Sequence, residues 1–253
     1  MFDHKYNELY TRASIFFYFC SRNFKNEKTM HYFSRLENTI KTNWNGIALA
    51  NFRGESFTYG ELAKQIARFH VFFETVGLKK GDKVALCAKN SARWGITFFA
   101  ANTYEAVLVP ILADFNPESV NSLVDHSESK VLLTDTDIWN KLDITKMPTV
   151  KAVFSSSDFS LLYSSDEKIQ KACDDLDALF EAKYPGGFTT EHVSYPTDND
   201  TELAIINYTS GTTSAPKGVM LRYECISENV SFGQKRLPTG PGDQIVSMLP
   251  MAH

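Results

Sequence analysis

The sequence has few of the residues that build metal, disulfide or nucleic-acid sites. Its four cysteines, Cys20, Cys87, Cys173 and Cys225, contain no C-x-x-C pair and no evenly spaced framework. That excludes a zinc ribbon and a disulfide scaffold, and fits a reducing compartment. The six histidines are scattered and no H-E-x-x-H occurs. Basic residues are not in excess: 26 Lys and Arg face 30 Asp and Glu, a net charge of −4. A duplex-binding domain carries a basic face, so nucleic acid is not an expected partner. The candidate targeting segment, Ile15 to Cys20, is only six residues long and is followed by Arg22. It is too short for a signal-peptide core or a membrane span. It reads as a strand or short amphipathic helix, with no transmembrane segment expected and a cytoplasmic location as the default. No internal repeat and no low-complexity tract is visible.

What is present is ordinary for a globular chain of 253 residues: 43% hydrophobic and 22% charged, with 19 Phe, 11 Tyr and 3 Trp for a well-filled core. Residues 1–29 lack sustained periodicity. From Met30 the pattern sharpens. His31 to Thr42 predicts a helix, Ile47 to Phe52 a strand, and Phe57-Thr58 a short strand pairing back across the turn. Thr58 and Glu61 form a capping box, and Leu62, Ile66, Phe69, Phe73 and Val76 recur at helical spacing until Gly77. Val84–Cys87 is a strand, and Ser91 caps a helix through Trp94, Phe98 and Phe99. A strand follows at 107–112 and a helix from Pro117 to His126. Further strands are expected at 131–133 and 150–154. Short apolar strands alternating with helices predict an α/β fold with a mostly parallel sheet. Residues 155–200, with a helix around Lys168 to Lys183, read as a surface connection. The aromatic stripe Phe69, Phe73, Phe98 and Phe99 and the lone histidines are assigned to core or surface, not to ligand binding.

The chemistry lies further on. The strand Leu203 to Tyr208 runs into Thr209-Ser210-Gly211-Thr212-Thr213-Ser214-Ala215-Pro216-Lys217-Gly218, then Val219 to Leu221 and a helical stretch from Tyr223. Hydroxyls, glycines and one lysine in ten residues after a strand suit a polyphosphate. Glycines admit backbone N–H groups, hydroxyls donate, and the ammonium adds charge. It is not a Walker loop, because Pro216 precedes Lys217 and Gly218 follows it. A serine acyl-enzyme reading through Ser214-x-x-Lys217 lacks a K-T-G partner, and Pro216 disfavours the helical turn it needs. The remaining alternative is a Thr/Ser-rich surface turn.

Tyr208 to Val219 resembles the phosphate-loop signature of the adenylate-forming (AMP-binding) superfamily. Phe57-Thr-Tyr-Gly-Glu-Leu62, Gly77 to Ala85 and Val109-Pro110 agree, and Ser247 to His253 looks most like long-chain fatty acyl-CoA synthetases. The resemblance covers about Met30 to His253. It implies layered, mostly parallel sheets with flanking helices, as in the N-terminal portion of such an enzyme's large domain. The expected organisation is an extension over 1–29 and a first α/β subdomain with its surface connection over 30–200. Residues 201–253 would start a second subdomain and a second sheet. By resemblance, Thr209, Ser210, Gly211, Thr212, Thr213, Lys217 and Gly218 bind ATP. The Thr209 hydroxyl also contacts Mg²⁺, and His253 lies at the acyl pocket. The implied substrates are a fatty acid, ATP and CoA, joined through acyl-AMP.

Three features depart from the pattern. Ser214 stands where the loop usually has Gly, and Tyr223 and Cys225 where many members have His and Asn. The sequence also ends inside a motif, without the later catalytic elements. It is therefore expected to be a truncated synthetase with no complete catalytic set, inactive alone, with an uncovered face that favours self-association. The alternative is a non-catalytic nucleotide-binding or interaction domain derived from this fold.

Overall fold

The computed structural model describes residues 15–17, 30–209, 217–237, 240 and 242–252. Its centre is a seven-stranded sheet. Strands β4 (Lys83–Cys87), β5 (Val107–Ile111), β6 (Ser129–Thr134), β7 (Ala152–Ser155) and β9 (Leu203–Thr209) run parallel to their neighbours. The edge strands β8 (Leu161–Ser164) and β10 (Lys217–Arg222) pair antiparallel. The order is β10-β9-β5-β4-β6-β7-β8. A four-stranded antiparallel sheet has the order β11-β1-β2-β3. It is built from β1 (Ile15–Phe17), β2 (Ile47–Asn51), β3 (Ser56–Thr58) and β11 (Ile245–Ser247).

The central strands are buried on both faces, which is why they read as continuous apolar runs rather than alternating ones. Alternate residues separate cleanly. Leu86, Leu108, Leu133 and Phe154 join one core with helices α2 (Tyr59–Thr75) and α3 (Ala92–Thr103). Ala85, Val109, Leu132 and Val153 join another with α4 (Pro117–His126). The first face also takes α1 (Tyr32–Thr42) and α8 (Tyr223–Arg236). The helix signals act as expected. Thr58 Oγ1 accepts from Glu61 N–H at 3.1 Å while Glu61 Oε2 accepts from Thr58 N–H at 2.7 Å. Asn116 caps α4, with Pro117 at its first position. Gly77 takes φ +71° after α2, a left-handed conformation open to glycine without strain.

Two expectations are corrected. Residues 203–222 do not open a second sheet, because β9 pairs with β5 at Leu108↔Ile205 and so extends the first one. Of 201–253, only Ile245–Ser247 joins the other sheet. Nor is 155–200 merely a surface connection. Its helix is two helices, α6 (Glu167–Asp174) and α7 (Leu176–Lys183), and Ile169, Ala172, Phe180 and Val193 are buried in the core. A four-residue helix, α5 (Thr136–Trp139), follows β6. No helix among the described residues is long and apolar enough to cross a membrane.

Candidate functional site

The sequence-predicted phosphate loop is framed by an antiparallel pair, β9 and β10, with Lys217 opposite Thr209 and Gly218 opposite Tyr208. The structure therefore brings Thr209, Lys217 and Gly218 together. Ser210, Gly211, Thr212, Thr213 and Ser214, with His253, lie outside the described residues. Lys217 is exposed. Strand alternation puts it on the face of Leu221, which lines a large cavity. Gly218 has a packing reason to be glycine. A Cβ there would stand 2.8 Å from Ile206 Cγ2, closer than real Cβ atoms come, and 3.3 Å from the Tyr208 ring, a tight contact.

Behind the pair, on the α4 face, Tyr208 is buried and its hydroxyl lies 2.7 Å from His126 Nδ1. Burial raises the Tyr208 hydroxyl's pKa, so it stays protonated. In front, two adjoining cavities open on the α3–α8 side. The larger, about 830 Å³, is lined by Ile205 and Asn207 of β9, Leu221 of β10, Cys225 of α8 and the segment Ile245 to Leu249. The smaller, about 380 Å³, is mainly apolar and is walled by Leu36, Leu49, Tyr59, Leu62 and Phe99. Trp94, Phe98, Ile226, Val230, Gln234 and Met251 line both. Phe98 and Phe99 are thus half-buried cavity walls, whereas Phe69 and Phe73 are core.

Helix α8 is fixed against α1 and α3 by polar contacts inside an aromatic cluster. Tyr223, fully buried, donates to the Asn102 carbonyl at 3.0 Å. Ser227 Oγ accepts from Tyr32 N–H at 3.1 Å, and Arg35 Nη1 donates to Gln234 Oε1 at 2.5 Å. The departure at Tyr223 is therefore an anchor, and Cys225 sits exposed on the cavity wall. Sequence reasoning gave no site role to Trp94, Asn207 or His126, which stand outside the motifs' signal residues, nor to Met251, which lies within the Ser247 to His253 stretch.

Mg²⁺ is implied by the resemblance. Among the described residues no group of three His, Cys, Asp or Glu side chains is placed to hold a metal ion.

The family model for AMP-binding enzymes matches residues 36–253, and the chain belongs to that family. It is 25% identical over 255 residues to long-chain-fatty-acid–CoA ligase 5 of Rattus norvegicus, covering 90% of this chain and 36% of that protein. It is 28% identical over 208 residues to a chloroplastic long-chain-fatty-acid–[acyl-carrier-protein] ligase of Arabidopsis thaliana, covering 78% of this chain and 28% of that protein. The chain thus spans about a third or less of the curated relatives it matches. Among solved structures, ATP-bound MatB from Rhodopseudomonas palustris superimposes with a TM-score of 0.61 at 19% identity, covering 81% of this chain and 37% of that one. A long-chain-fatty-acid–CoA ligase from Archaeoglobus fulgidus gives 0.60 at 18% identity, covering 85% and 41%. These likenesses place the fold as the N-terminal domain of adenylate-forming enzymes, a mixed, mostly parallel sheet flanked by helices.

Proposed function

We propose that this chain supplies the triphosphate-binding strand pair and part of the acyl cavity of an ATP-dependent acid–thiol ligase acting on fatty acids. The observation that carries this reading is one shared face. Lys217 stands at the loop end of β10, and a tract of largely apolar cavity runs along that same face. An anionic head and an aliphatic tail then have adjacent, chemically opposite surroundings. A carboxylate oxygen would attack the α-phosphorus of ATP, the α–β phosphoanhydride bond would break, and pyrophosphate would leave. The thiolate sulfur of CoA would then attack the acyl carbon and expel AMP. In the first step Lys217 would stabilise charge on the departing phosphates, a role suited to an exposed ammonium at a loop mouth. Thr209 to Thr213 would supply hydroxyl and backbone donors, with Thr209 a contact to Mg²⁺ and His253 at the acyl pocket.

Calorimetric titration with Mg-ATP tests this. A charge-assisted hydrogen bond is worth about 1.5–3 kcal/mol, so Lys217→Ala should weaken binding about 10- to 150-fold. Equal binding by both proteins would remove Lys217 from the site. Binding of Mg-ATP with no affinity for any fatty acid would favour the second reading, a nucleotide-binding domain without this chemistry.

A further inference from the structure

The strand pair that frames residues 210–216 has two faces, and only the cavity face enters the proposed function. On the other face α4 ends at His126. That imidazole meets Tyr208 edge-on, with ring centroids 5.7 Å apart and planes at 77°, and its Nδ1 lies 2.7 Å from the phenol oxygen. The same phenol ring lies under Gly218, 3.3 Å from where a Cβ would stand. Tyr208 precedes Thr209, and Gly218 follows Lys217. One buried ring therefore touches the strand on each side of residues 210–216, and its polar end is tethered to α4. A phenol in a close-packed layer has little room to tilt. With its hydroxyl held, its ring becomes a fixed backstop for both strands.

We propose that His126 is a positioning residue: through Tyr208 it sets the relative placement of β9 and β10, and thereby the affinity of the loop they frame for polyphosphate. This rests on the phosphate-binding reading above. His126 itself touches no substrate. Its contribution is one part-buried hydrogen bond between an exposed imidazole and a buried phenol, so its removal should weaken anion binding about two- to tenfold.

The experiment compares five proteins for Mg-ATP affinity and thermal midpoint: wild type, His126→Ala, His126→Asn, Tyr208→Phe and Val124→Ala. Asparagine can place a polar atom where Nδ1 stands. Val124 is a buried α4 core residue outside the hydrogen bond, and its truncation controls for simple loss of stability. The expected result is weakened binding in His126→Ala and Tyr208→Phe, recovery in His126→Asn, and wild-type affinity in Val124→Ala despite a lowered midpoint. Wild-type affinity in His126→Ala would overturn the proposal, as would an equal loss in Val124→Ala. If wild type binds no Mg-ATP, the phosphate-binding reading fails for this chain, and amide hydrogen exchange still decides the positioning claim. Exchange at 208–209 and 217–219 should accelerate in His126→Ala and Tyr208→Phe but not in Val124→Ala. Unchanged exchange there would overturn it.

Discussion

Two histidines show how burial alone can make a side chain govern stability. His70 is half-buried against α3, with Nε2 3.2 Å from the Ala100 carbonyl and 3.1 Å from Thr103 Oγ1. Burial holds its pKa down to about 4. His31 is buried at the start of α1, where Nδ1 accepts from Phe33 N–H at 3.1 Å. Burial lowers its pKa too, against the opposing pull of Asp200. Both are neutral in the folded state near pH 7, whereas the unfolded chain protonates them near 6.5. As pH falls below 6.5 the unfolded state binds more protons, so stability is lost progressively toward pH 4. The loss is on the order of 1–3 kcal/mol for His70. Denaturant midpoints at pH 7.5, 5.5 and 4.5 should fall more steeply for wild type than for His70→Gln, which keeps a donor in place. Parallel slopes would reject the assignment.

At the scale of elements, close approach is the governing quantity. Gly218→Ala should force β10 away from β9, because the new methyl meets Ile206 and Tyr208. Overpacking of this kind costs about 1–3 kcal/mol. Thermal unfolding should show that loss, and Gly218→Ala added to Ile206→Ala should cost little more than Ile206→Ala alone. Additive losses would mean the contact is relieved elsewhere. Most element ends could be read from the sequence, because each is set by local chemistry. Thr58 and Glu61 satisfy free N–H groups, Asn116 and Pro117 start α4, and Gly77 accepts a positive φ. Other features were not legible. The break between α6 and α7 at Asp175 lies within a single amphipathic stretch. The place of β9 beside β5 is a matter of topology, on which apolar runs are silent. The candidate site divides in the same way. The hydroxyls, glycines and lysine announce themselves by spacing. His126 and Trp94 enter only because the fold carries them to a strand far away in sequence.

At the scale of the molecule, the surface around the candidate site is unusually apolar. Met220, Phe232, Met248 and Leu249 are 70%, 61%, 80% and 79% exposed. β10 is also an edge strand of the large sheet. Exposed apolar area beside unpaired backbone groups favours association. Sedimentation velocity over a concentration series should therefore show weight-average mass rising with concentration. The double variant Met248→Asp, Leu249→Asp should shift the series toward monomer. A concentration-independent monomer for wild type would contradict the expectation.

The pairing of β9 with β5 also has a consequence in time. Leu108 and Ile205 meet across about a hundred intervening residues, and closing so long a loop carries an entropic cost that short-range contacts avoid. The strands β4 to β8 can assemble from near neighbours, so this sheet gains its β9–β10 edge last. During refolding, pulse-labelled amides of β9 should be protected in a later kinetic phase than those of β4 and β6. On the proposed function, the strand pair that would meet the ligand is then the last part of this sheet to form.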